Sequence, residues 1–162
     1  MNKIVIIIFL IIFSGCSIAN TPTSKVEAFL SRYQRLDGDI SLAYDKLAGD
    51  ENISNNDINR YREVIKRQYK NLSYEIKDEE IDGNTAIVTT EIKVYNYKKI
   101  LDKYNKDDYI EEAYHDFITS ELNNQKEKIV YTIEFELNSS KDGEWGLESL
   151  DLEEQEKLLG IN

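Results

Sequence analysis

The chain has 162 residues, 31 acidic against 20 basic, a formal charge of −11 and a single cysteine. That length suits one domain with its own core, and one cysteine allows no intrachain disulfide. The charge balance argues against nucleic acid, whose phosphates need clustered Lys and Arg, and against flat adsorption on anionic lipid.

The chain opens with Lys3 as its only early charge, an unbroken apolar run over residues 4–13, and then Ser14, Gly15 and Cys16. This is the three-part layout of a secretory leader. The apolar run is too short to span a bilayer, which takes about 20 helical residues. The segment Phe13-Ser14-Gly15-Cys16 resembles the lipobox of bacterial lipoproteins, with Phe where Leu is usual. The resemblance implies a diacylglyceryl group on the Cys16 thiol and cleavage just before it. The expected organisation is therefore a signal peptide over 1–15, a lipidated cysteine and tether over 16–23, and one domain over 24–162. A lipid on Cys16 would make the membrane a partner and hold the domain at the extracytoplasmic face of a bacterial cell membrane.

Helical spacing follows. Ser24 and Glu27 form a capping-box pattern ahead of Val26, Phe29, Leu30 and Tyr33, and Gly38 is a helix stop. Asp39 is placed to cap a second helix carrying Ile40, Ala43, Tyr44 and Leu47. Asp57 is placed to cap a third, with Ile58, Tyr61, Ile65, Gln68, Tyr69 and Leu72 along one side.

The clearest strands come next. Leu72, Tyr74 and Ile76 share one face of a first arm, Asp82-Gly83-Asn84 makes a turn, and Ala86, Val88, Thr90, Ile92 and Val94 share one face of the second. Residues 98–125 predict helix rather than strand. Ile100, Leu101 and Tyr104 mark a short turn. Asp107 or Asp108 is placed to cap a helix striped by Ile110, Ala113, Tyr114, Phe117 and Ile118. Ile129, Tyr131, Ile133, Phe135 and Leu137 then alternate as a third strand. After a turn at Asp142-Gly143, Trp145 to Leu152 predicts a fourth, and Leu152 to Leu159 a terminal helix. The pattern defines an α+β fold in which N-terminal helices pack on a curved four-stranded antiparallel sheet, with a helical insertion between the second and third strands.

The run Leu36-Asp37-Gly38-Asp39-Ile40, followed by Ala43-Tyr44 and Leu47, resembles the opening of the nuclear-transport-factor-2-like superfamily of cystatin-like α+β rolls. The stretch from Gly143 through Trp145 to Leu150 resembles the last strand of lipoproteins in that superfamily. The resemblance implies a sheet wrapped round the first helix, and a cone whose open end can hold a small molecule. Some members are isomerases or dehydratases.

Such chemistry needs an acid and a base aimed into an apolar cavity. The inward positions here, from Ala86 to Val94 and from Ile129 to Phe135, carry no Asp, Glu or His, so no catalytic residue is expected. His115 is expected at a solvated edge. The acidic runs Asp78-Glu79-Glu80, Asp107-Asp108 with Glu111-Glu112, and Asp151 with Glu153-Glu154 lack the spacing of a calcium loop and read as solvated charge. No metal or cofactor is expected. Tyr33, Tyr44, Tyr74, Tyr95, Tyr131 and Trp145 are the candidate ligand-binding residues, each with an apolar body and a polar tip; half-buried packing is the competing role. The expected function is a non-enzymatic, membrane-tethered domain that binds a small ligand, a peptide or a partner protein. The rivals are a small isomerase or dehydratase, and a structural accessory of an envelope or secretion complex.

Overall fold

The computed structural model describes residues 20–36, 47–48 and 54–162. Within them the chain runs α1 (Pro22–Arg35), α2 (Asn55–Lys70), β1 (Ser73–Asp82), β2 (Thr85–Tyr95), α3 (Lys98–Lys103), a 3-10 turn (Lys106–Asp108), α4 (Glu111–Asn124), β3 (Lys128–Ser139), β4 (Trp145–Leu147) and α5 (Leu152–Leu159). The strands form one antiparallel sheet in the order β1-β2-β3-β4. Helices pack on it, and α3 and α4 form the insertion between β2 and β3. This is the α+β architecture the patterning predicts. Cys16, Tyr44 and most of the helix expected after Asp39 lie outside the described residues; Leu47 and Ala48 are helical and buried.

Alternation sets the sheet. Ala86, Val88, Thr90, Ile92 and Val94 are all buried, while their neighbours are not. Gly83, at φ 60, occupies the first central position of the two-residue hairpin turn, which demands a positive φ. The β1–β2 register slips by one residue between Ile76 and Asp78. That bulge, and the exposed Asp78, Glu79 and Glu80 beyond it, blunt the outer strand against pairing with another chain. The β2–β3 register is unbroken from Thr85↔Asn138 to Tyr95↔Lys128.

Several boundaries differ from expectation. The capping box of α1 is Thr21 with Ser24, because Pro22, with its preset φ, takes the first helical turn. The helix ends at Leu36 in the left-handed region, φ 63, ahead of Gly38. Ser54 rather than Asp57 caps α2, and its hydroxyl is bonded to the Asp57 carboxylate at 2.5 Å. Asp107 and Asp108 lie in the 3-10 turn, and Ile110 is the N-cap of α4 without a side-chain bond. β4 stops at Leu147 because Asp151 opens α5, accepting from the Glu154 N–H at 2.8 Å while Glu154 accepts from the Asp151 N–H at 2.8 Å.

Two cores result. Val26 and Leu30 of α1 close over Val88, Ile92, Val94, Ile133 and Phe135, so the space between the first helix and the sheet is filled with side chains. The second core joins α2 and α4 through Tyr61, Val64, Ile65, Ile118 and Leu122, with Tyr97 between them. The insertion thus packs on α2 and makes a helical storey of its own. Leu158 belongs to the first core and the adjacent Leu159 to the second, so α5 staples the storeys together.

Candidate functional site

The five described aromatic candidates do not converge on one surface. Tyr33 packs edge-on against Phe29 and Tyr69 at 5.0 and 4.8 Å. Tyr74, Tyr131 and Trp145 are half-buried round the sheet core. The Tyr131 hydroxyl donates to the Asn162 carbonyl at 2.6 Å, and the Trp145 backbone N–H donates to Asn20 Oδ1 at 3.1 Å.

Tyr95 is different. It ends β2, where sheet and helical storey meet, and its backbone is held on both sides by the buried Gln68 amide. Gln68 Oε1 accepts from the Tyr95 N–H at 2.8 Å, and Nε2 donates to the Tyr95 carbonyl at 2.8 Å and to the Leu159 carbonyl at 2.6 Å. The Arg67 guanidinium lies 3.7 Å from the Tyr95 ring centroid and the Lys128 ammonium 5.2 Å, both within the range of a cation–π contact. Arg67 also donates to the carbonyls of Leu122, at 3.2 Å, and Gln125, at the end of α4, where the helix dipole favours a cation. Lys128 donates to the Asn71 carbonyl at the end of α2, at 2.8 Å. Burial first, and then the charges of Lys93 and Arg67, hold the Lys128 ammonium below its ordinary value.

His115 corrects the sequence reading. It is 2% exposed, because α4 begins after Ile110 and presents Tyr114, His115, Ile118, Thr119 and Leu122 to the interior, leaving Ile110 82% exposed. Its Nδ1 lies 3.0 Å from the Tyr61 hydroxyl, and Nε2 has no partner among the described residues. Beside it, Arg60 donates to Asp57 at 3.0 Å and is paired with Asp116 of α4. Burial pushes the Asp57 carboxyl up, but the bonds from Ser54 and Arg60 and the nearness of His115 outweigh it and hold it below the usual carboxylate range. A buried carboxylate, a tyrosine and a histidine therefore meet, between α2 and α4 rather than between α1 and the sheet. Tyr61 is fully buried and Asp57 4% exposed, so the set is sealed between helices and bonds α2 to α4. No period in the sequence marks it, because its members come from two helices and only their packing aligns them. The Tyr61→Phe variant should lose about 1–3 kcal/mol, the cost of leaving a buried imidazole without partners, read as a fall in the urea midpoint at unchanged slope.

Of the acidic runs, Asp78, Glu79, Glu80, Asp107, Asp108, Asp151 and Glu153 are exposed, whereas Glu154 is half-buried in the capping box of α5. A groove of about 370 Å³ along β3 and α5 is bordered by Glu134, Glu136, Asp151 and Glu154. Among the described residues no group of three or more His, Cys, Asp or Glu is placed to hold a metal ion. No described helix is long and apolar enough to cross a membrane.

Fold and site together define a small α+β domain with a filled sheet core, a sealed helical storey and a cation-flanked tyrosine at their junction. No protein-family model, no curated protein and no solved structure matches the chain.

Proposed function

We propose that the protein is a lipid-anchored, extracytoplasmic domain of a bacterial cell membrane, of the nuclear-transport-factor-2-like roll type, that binds a ligand or partner without catalysing a reaction. The observation that carries this reading is the leader, in which the chain's only cysteine follows a charged start, an apolar run and Ser14-Gly15. A diacylglyceryl thioether supplies two chains, enough for stable anchoring at about 0.8 kcal/mol per buried CH₂.

The start of α1 supports the arrangement. Asn20 donates to the Gly143 carbonyl at 2.8 Å, the Thr23 N–H donates to Glu79 at 2.8 Å, and Lys25 pairs with Glu144 at 3.4 Å. The anchor would thus enter beside the β3–β4 turn and the acidic end of the first hairpin. Residues 17–20 reach about 14 Å when extended, so those turns would face the lipid and the Tyr95 end would point away. The filled sheet core and the sealed Asp57–Tyr61–His115 set favour binding at the surface over chemistry in a cavity.

Mass spectrometry of membrane-extracted protein is expected to show a chain beginning at Cys16 with a lipid-sized increment, and Cys16→Ala to release the protein from the membrane. A free thiol on a membrane-retained chain would overturn the anchor.

A further inference from the structure

Lys25, Lys66, Lys77, Lys98, Lys99 and Lys157 each sit in an ion pair. Arg67, Lys93 and Lys128 are among the several described cations with no carboxylate partner among the described residues, and the three lie close enough to depress the Lys128 ammonium. Two helix ends account for Arg67 and in part for Lys128. Nothing in the fold accounts for Lys93, which is exposed and has no polar partner among the described residues.

The register sets their geometry. Lys93 faces Val130, and Tyr95 faces Lys128, so Lys93 and Lys128 are diagonal neighbours on the outer face of the sheet, roughly 7–8 Å apart. Ser73 opposes Lys93 from β1, adding an exposed hydroxyl. A groove of about 190 Å³ beside them is lined by Ser73, Tyr74, Lys93 and Val130. Its two carboxylates, Glu75 and Glu91, are both tied to Lys77 at 2.9 Å.

We propose that Ser73, Lys93 and Lys128 form a subsite for a phosphate-class oxyanion on the outer face of the sheet. Two ammonium groups and a hydroxyl offer separated, rotatable donors, which suit a tetrahedral oxyanion. A planar carboxylate is better matched by a guanidinium fork, and here the fork of Arg67 is engaged by backbone carbonyls. Val130, 53% exposed, gives an organic substituent an apolar rest. The subsite deepens the binding reading and rests on it, naming the ligand's chemistry. Its test reads phosphate and not the lipid on Cys16, so the two fail separately.

The experiment is an NMR titration of the full chain in detergent micelles with inorganic phosphate, matched in ionic strength by sodium chloride. Saturable shifts are expected at the Ser73, Lys93 and Lys128 amides. Lys93→Gln, at an exposed position, should weaken binding by about tenfold, the worth of one charge-assisted hydrogen bond, while Lys66→Gln leaves it unchanged. Parallel titrations use phosphatidylcholine vesicles with and without phosphatidylglycerol. A Lys93-dependent response to phosphatidylglycerol, without one to inorganic phosphate, would assign the same oxyanion chemistry to a lipid headgroup. Shifts reproduced by chloride, a Lys93→Gln affinity within about twofold of the parent, or no response to either probe would overturn the subsite.

Discussion

Replacing Gly160 by alanine is expected to destabilise the protein more than adding a methyl at any other described glycine. The residue has φ 72, and a Cβ there would stand 2.1 Å from the Tyr95 carbonyl oxygen and 2.7 Å from Gln68 Nε2. The carbonyl belongs to the last residue of β2 and cannot rotate away as a flexible side chain would. Left-handed strain of about 1–2 kcal/mol then adds to an overlap of about 1–3 kcal/mol. The sum is a large part of a typical stability of roughly 5–15 kcal/mol. Gly143→Ala is the control. Its φ is 78, but nothing lies within 4 Å of the added carbon, so only the strain of about 1–2 kcal/mol remains. Urea midpoints at constant slope separate the two variants; equal losses would mean that the α5 terminus does not press on Tyr95.

Truncating Phe135 is expected to cost about 3–5 kcal/mol, the range for a buried aromatic replaced by alanine. Phe135 is fully buried at the middle of β3, opposite Val88, with the Phe29 ring of α1 edge-on at 5.9 Å. Removing it opens a cavity between the first helix and the sheet. Val130→Ala, on the outer face of the same strand and 53% exposed, should stay within about 0.5 kcal/mol of the parent. A comparable loss at both positions would contradict the one-sided burial of β3.

The difference between those two residues of one strand was readable beforehand, because a strand's period of two depends only on neighbouring residues. The hairpin turn at Gly83 and the terminal helix over Leu152–Leu159 were readable for the same local reason. Helix starts were less readable. Thr21, Ser24, Ser54 and Asp57 are all competent caps, and small local differences choose among them. His115 was not readable at all. Its neighbours Tyr114 and Phe117 mark an apolar stripe, but the seam that α4 turns inward is set by its docking on α2, where the Tyr61 hydroxyl makes a buried imidazole tolerable.

What the sequence determines by itself is local: the α+β order, the two-sided strands and the acidic charge balance. Each depends on spacing within a few residues or on total charge. The tertiary structure alone decided that the insertion and α2 form a second core, that the helix–sheet interior is filled, and that Arg67, Lys93 and Lys128 gather beside Tyr95. Those outcomes join residues tens of positions apart, and only the packing of α2, α4 and the sheet against one another brings them together.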